Sequence, residues 1–260
     1  MRWLFKTNSK SSDYNSRMLD FGNVKVLSFD CYGTLIDWET GILSALRPLM
    51  THHGVGLPDQ QLLELYGRFE REAQSQSPFV NYRTVLRNVL KKLGAHLALP
   101  VKPAEESVLA DSLGDWPPFS DTVEALRLLK SRFQLAIISN VDDDMFNLMQ
   151  EHLQVPFDWV ITSEQLGLYK PSESNFQSAM RTMGITPDQH AHVAQSLYHD
   201  IRPAGAMGLN TVWVNRPGAA STPVIGSKPS LEVPDLKSLA DLAVRASRPV
   251  SRPGIPSRYQ

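Results

Sequence analysis

Five short apolar runs punctuate the chain: VKVLSF (24–29), FQLAIIS (133–139), WVI (159–161), HVA (192–194) and TVWV (211–214). Most are too continuous for strands with one wet face, and they suit a parallel sheet covered on both sides. Helical periodicity separates them. DTVEALRLLKSR opens with Asp121 and Glu124 at capping-box spacing, and TPDQ offers Thr186 as an N-cap before Pro187 at the first helical position. The pattern predicts a doubly wound, Rossmann-like α/β domain, in which ligands sit outside the carboxyl ends of the strands.

One interval is too long for a simple crossover. Between Asp37 and Pro118 roughly 80 residues pass before the next core strand, and a structureless loop of that length is improbable. LLELYGRFEREA (62–73) and YRTVLRNVLKKLG (82–94) carry helical rather than strand period. The segment 37–117 therefore reads as a helical cap inserted after the first strand, over the edge of the sheet where closure excludes water. GDWPPFSD marks the return, so the core domain is expected to comprise 21–36 and 118–246. Residues 1–20 and the Arg-, Pro- and Ser-rich 247–260 read as flexible tails, and AASTPVIGSKPS (219–230) as an irregular surface connection.

Composition narrows the class of partner. A net charge of -1 with scattered basic residues gives no positive field for a nucleic acid, and no apolar run nears the length of a membrane span, roughly 20 residues. The opening apolar triplet WLF is too short for a secretory signal. The single cysteine, Cys31, forms no intrachain disulfide, which suits a reducing, cytoplasmic setting, and its side chain is expected in the core. The expected partner is a small molecule, with a homodimer as the one compatible protein contact.

Polar residues collect where strands end. Asp30 follows the first run, Ser139 and Asn140 close the second, Lys170 follows the third in QLGLYKPS, and Asp200 follows the fourth in AQSLYHD. A carboxylate is a weak nucleophile in water. It becomes competent when donors fix it, a lysine keeps it ionised and closure removes its hydration shell. Lys170 supplies that charge, Ser139 and Asn140 offer hydrogen bonds to a substrate acid, and Asp200 partners Lys170 or orients a water.

DCYGTL (30–35), the strand ending in Ser139 and Asn140, YKP (169–171) and the motif ending in Asp200 resemble the haloacid dehalogenase-like hydrolases over 24–244. Tyr32 stands where phosphatases of that superfamily carry an acid/base Asp, so the chain is most similar to the type II 2-haloacid dehalogenases, whose cap FVNY (79–82) also resembles. The resemblance implies attack by Asp30 on the substituted carbon of a small 2-substituted carboxylic acid, an aspartyl ester, and hydrolysis to a 2-hydroxy acid. It casts Asp30, Lys170 and Asp200 as catalytic, and Tyr32, Ser139, Asn140, Ser196, Tyr82 and a cap arginine, Arg68 or Arg71, as substrate-binding. Gln195 stands where the phosphatases place a magnesium-binding Asp, and a neutral amide suits a hard cation poorly. No metal and no cofactor are expected. Alternatives are hydrolysis of another carbon–heteroatom bond, such as C–N ring opening of a strained cyclic amino acid, then a magnesium-dependent phosphatase or a non-catalytic binding protein.

The remaining histidines and aromatics carry weaker signals. His52 and His53 are expected to end a cap helix, His190 and His192 to precede a strand at the surface, and His199 to lie near the site without acting as base. Trp38, Tyr66, Phe69 and Tyr82 are candidates for an apolar pocket wall, or for cap core.

Overall fold

A computed structural model describes residues 19–218 and 224–245; of the tails expected at 1–20 and 247–260, residues 1–18 and 247–260 lie outside the described residues. Six strands form one parallel sheet, β1 (Val26–Phe29), β2 (Gln134–Ser139), β3 (Trp159–Thr162), β4 (His190–Ala194), β5 (Asn210–Val214) and β6 (Leu231–Val233), in the order β3-β2-β1-β4-β5-β6. The helices are α1 (Trp38–His52), α2 (Asp59–Gln74), α3 (Tyr82–His96), α4 (Val108–Ser112), α5 (Thr122–Lys130), α6 (Asp143–Leu153), α7 (Ser163–Leu166), α8 (Glu173–Met183), α9 (Arg202–Ala206) and α10 (Leu236–Arg245). The five continuous apolar runs became strands because both faces are covered: all of β1 is buried, and all of β2 beyond Gln134.

Register brings the strand ends together. Phe29 pairs with Ile137 of β2 and Val193 of β4, so Asp30, Ser139 and Gln195 emerge at one edge. The chain then turns at Gly33, whose φ of +87° lies in the left-handed region that a side chain resists. Arg216 pins this loop: it donates to the Thr34 carbonyl (2.9 Å) and to Asp121 (3.0 Å), with its guanidinium 3.8 Å from the Phe119 ring centroid.

Helices α1 to α4 occupy the interval between β1 and α5. In α2 the buried positions Leu62, Tyr66, Phe69 and Ala73 form one stripe, which packs on Tyr82, Val85, Leu86, Val89, Leu90 and Leu93 of α3. Gly41 of α1 lies so close to Trp116 that a Cβ would come within 2.3 Å of the indole, so the missing side chain sets the approach. The assembly docks on the carboxyl edge of the sheet. Asp142, just after β2, accepts from the backbone N–H groups of Tyr82 (2.7 Å) and Arg83 (2.9 Å) at the start of α3, where a negative charge meets the helix dipole. Tyr169 donates to the Val80 carbonyl (2.8 Å), and Asn140 reaches Gln74 of α2 (3.3 Å).

Local expectations are corrected at four points. Asp121 does not close a capping box: its carboxylate is engaged by Arg216 and by the Leu236 N–H (2.7 Å), contacts made across the fold that outweigh a local one, while Glu124 pairs with Arg127. Thr186 is the N-cap and Pro187 the first position as expected, but the element they open is a single 3-10 turn, Pro187–Gln189, before β4 begins. His190 and His192 are buried within β4, not surface residues ahead of it, because Ser28 of β1 lies between them and bonds both rings. Strand β6 falls in a stretch with no readable run, since it has three residues and Glu232 is exposed.

Candidate active site

Asp30 leaves β1 with its backbone N–H held by the Val193 carbonyl (3.1 Å). Its two carboxylate oxygens have different partners. Oδ1 accepts from Lys170 Nζ at 2.8 Å, and Oδ2 accepts from Thr34 Oγ1 at 2.9 Å. Thr34 is fixed in turn, its hydroxyl accepting from the Gln195 N–H at 3.0 Å. Lys170 Nζ completes its three donations at Asp200 Oδ1 (2.6 Å) and the Ile138 carbonyl (2.8 Å). One ammonium thus lies between two carboxylates in a nearly dry site, with Lys170 only 2% exposed and Asp30 7%.

The protonation states follow from that arrangement. Burial raises the pKa of Asp30, and Asp200 raises it further, against the opposing pull of Lys170 and the hydrogen bonds from Lys170 and Thr34. Burial also works against ionisation of Asp200, but Lys170 and the hydrogen bond from His192 overcome it and bring its pKa down to about 2. Lys170 is pushed down by burial and up, more strongly, by its two carboxylates, so its pKa is raised.

A buried polar chain runs beneath Asp200. His192 Nε2 bonds Asp200 Oδ1 (2.9 Å), His192 Nδ1 bonds Ser28 Oγ (2.7 Å), and Ser28 Oγ bonds His190 Nε2 (2.6 Å). This chain fixes the direction of Asp200 from the sheet side. Ser28 was not singled out by sequence reasoning and the two histidines were read as surface residues, because their spacing shows only when β1 and β4 are paired. Thr34 was also missed, although it lies within DCYGTL.

The other expected residues divide. Ser139 Oγ and Tyr32 Oη are buried without a hydrogen-bond partner among the described residues, as is Asp200 Oδ2, so all three have capacity for a ligand. Asn140 is engaged in holding Lys170, accepting from its N–H (2.8 Å) and donating to its carbonyl (3.1 Å). Ser196 accepts from the His199 N–H (3.0 Å) and steadies the π-turn Leu197–Ile201 that carries Asp200. Tyr82 stacks on Tyr32 with ring centroids 6.2 Å apart, and Trp38 lies 5.9 Å from Tyr66. Arg68 is exposed and lies over the Phe69 ring (4.6 Å), whereas the charge of Arg71 reaches His199 and helps lower its pKa, after burial, to about 4. Phe69 is buried on α2 beside His96 of α3. Cys31 is fully buried.

As donors to a hard cation these groups fit poorly. Lys170 already pairs with both Asp30 and Asp200, and Gln195 adds only a neutral amide. Elsewhere, His52, His53 and Glu105 bring potential ligand atoms within 4.8 Å of one another, Glu105 arriving from 52 residues beyond His53. Glu105 also accepts from the Lys102 N–H (2.7 Å).

A parallel sheet with an aspartate and a lysine paired across its carboxyl edge, under an inserted helical layer, defines a class of α/β hydrolases. The chain matches the family model of the haloacid dehalogenase-like hydrolases over residues 24–208 and belongs to that family. It is 27% identical to the (S)-2-haloacid dehalogenase of Pseudomonas sp. (strain YL) over 224 residues, 84% of this chain and 94% of that one. Its fold is similar to that of the L-2-haloacid dehalogenase from Xanthobacter autotrophicus solved with chloropropionic acid covalently bound, with a TM-score of 0.73 at 20% identity, covering 86% of this chain and all (100%) of the other. A HAD-hydrolase from Bacillus subtilis bound to magnesium superposes with a TM-score of 0.70 at 18% identity, covering 85% and 99%. Among the described residues no helix is long and apolar enough to cross a membrane.

Proposed function

We propose that this hydrolase acts without a metal on a small 2-substituted carboxylic acid, a 2-haloacid or a close analogue, through a covalent ester on Asp30. The observation that carries the reading is the two-sided grip on Asp30, with Lys170 Nζ on Oδ1 and Thr34 on Oδ2. That grip aims a carboxylate while excluding water, which is what a weak oxygen nucleophile requires. An Asp30 oxygen forms a bond to C2 of the substrate, the bond to the substituent breaks, and the substituent leaves with the electron pair. Water then adds to the Asp30 carbonyl carbon, and cleavage of the acyl–oxygen bond releases the 2-hydroxy acid.

Lys170 stabilises the negative charge throughout. Asp200, with its pKa near 2, stays ionised and is a poor proton acceptor, so it orients the attacking water through the unpartnered Oδ2. Ser139 and Tyr32 have free hydroxyls for the substrate acid, and Arg71 is the better-placed cap arginine. Residues 37–117 act as a cap, and the dryness of the site means that this cap moves for substrate to enter.

Two supports come from relatives: curated ones bear the name (S)-2-haloacid dehalogenase, and one solved structure of the same fold carries chloropropionic acid covalently. The test is mass spectrometry of acid-quenched enzyme across a panel of short 2-substituted acids. A mass increase on the peptide holding Asp30, absent in Asp30→Asn, is the expected result. Hydrolysis of a substrate with no adduct at any quench time, or an adduct on another residue, overturns it.

A further inference from the structure

Glu70 has no part in that chemistry, yet its carboxylate is hydrogen-bonded to Tyr82, the ring that stacks on Tyr32 beside Asp30. On α2 it lies one turn from Tyr66 and one turn from Gln74. Gln74 contacts Asn140, whose side chain holds Lys170, and Tyr66 lies against Trp38. Glu70 Oε1 accepts from Tyr82 (2.6 Å) and Tyr66 (3.3 Å), whose hydroxyls are 3.2 Å apart. Tyr82 is the ring that stacks on Tyr32, two residues past Asp30. Glu70 Oε2 takes no hydrogen bond among the described residues, and no lysine or arginine forms a salt bridge with Glu70 there.

The charges around the site are therefore unbalanced. Lys170 is shared by Asp30 and Asp200, and Glu70 adds a third acid. Burial raises the pKa of Glu70, the charge of Asp30 adds to that rise, and the tyrosine hydrogen bonds and Arg71 oppose it. A ligand that brings only a carboxylate deepens this imbalance. A ligand with a cationic group at its other end adds no net charge and sets a counter-charge beside Glu70.

We infer that Glu70 is a specificity-determining residue that receives a protonated nitrogen of the substrate, so that the preferred substrate is a small zwitterionic acid rather than a plain haloacid. The inference rests on the reading of Asp30 as the reacting group only in placing the substrate between Asp30 and α2. Tyr66 and Tyr82 hold Glu70 Oε1 in place, and Oε2 faces the ligand.

Binding of two unreactive probes by calorimetry tests this on the full chain. 3-Aminopropanoate and butanoate have the same acid and differ by an ammonium in place of a methyl. The wild type is expected to bind the amino acid about tenfold or more tightly than butanoate, and Glu70→Gln to reduce that ratio by about 10- to 100-fold, the scale of one charge-assisted hydrogen bond. Butanoate binding should change little. Where Glu70→Gln does not fold by circular dichroism, Glu70→Asp, which keeps the charge, should retain a preference for the amino acid. Equal binding of both probes, no binding of either, or a ratio unchanged in Glu70→Gln overturns the inference. Failure of the covalent reading is a separate outcome: the amino-acid preference would remain while no Asp30 adduct forms.

Discussion

Lys170→Met removes one ammonium and keeps most of the aliphatic stem. Three interactions are lost together, with Asp30 (2.8 Å), Asp200 (2.6 Å) and the Ile138 carbonyl (2.8 Å). Deleting one partner of a buried pair costs about 3–5 kcal/mol, because the charge left behind has no compensation. Here two carboxylates are left behind, and they relieve their repulsion by sharing a proton, as buried like charges do. Lys170 opposes the raised pKa of Asp30, so its removal raises that pKa further. The acid limb of the rate profile should accordingly move to higher pH. At neutral pH both the ionised fraction of Asp30 and the stabilisation of the departing charge fall, and loss of one electrostatic stabiliser alone slows chemistry by about 10²- to 10³-fold. The assay is rapid-quench single turnover with enzyme in excess, across pH, on protein shown to be folded by circular dichroism. A near-normal rate with an unmoved acid limb would refute the reasoning and make the lysine a structural group.

Asp200→Asn should leave alkylation of Asp30 partly intact but slow ester hydrolysis, so the adduct should accumulate in quenched samples; no accumulation would remove the water-orienting role. Turnover should persist in excess chelator, because Tyr32 and Gln195 stand where ligating or acid/base carboxylates would be needed, and chelation loss restored by magnesium would favour the phosphatase reading. His192→Phe breaks the bonds to Asp200 and Ser28, so a denaturant melt should show about 1–3 kcal/mol lost. The sign with pH is fixed by Asp200. Its depressed pKa contributes stability that is present above the unfolded value of 3.8 and lost as pH falls toward about 2. With the His192 bond gone the Asp200 pKa rises, and acid unfolding should begin at higher pH in the variant than in the wild type.

The strand-end residues were legible because the apolar runs of β1, β2 and β4 stop abruptly at Asp30, Ser139 and Gln195, and burial on both faces gives such runs a plain signature. Hidden features depend on contacts between distant segments. HAHV reads as two polar interruptions until Ser28 and Asp200 are placed beside it. Asp121 reads as a helix cap until Arg216 arrives from 95 residues away. Glu70 left a trace that could have been followed, since it lies between Tyr66 and Ala73 on the apolar side of α2, where an acid needs a partner. Asn140 shows the opposite error: its position was read correctly, but both ends of its amide are engaged in holding Lys170.

In the proposed mechanism Asp30 attacks carbon and water then attacks Asp30, which a single turnover in ¹⁸O-water with enzyme in excess can decide. The hydroxy acid should be unlabelled, with the heavy oxygen retained in the Asp30 carboxylate, and labelled product should form only after further turnovers reuse that carboxylate. Labelled product from the first turnover, with none of the label on Asp30, would mean that water attacks the substrate itself and that no aspartyl ester forms.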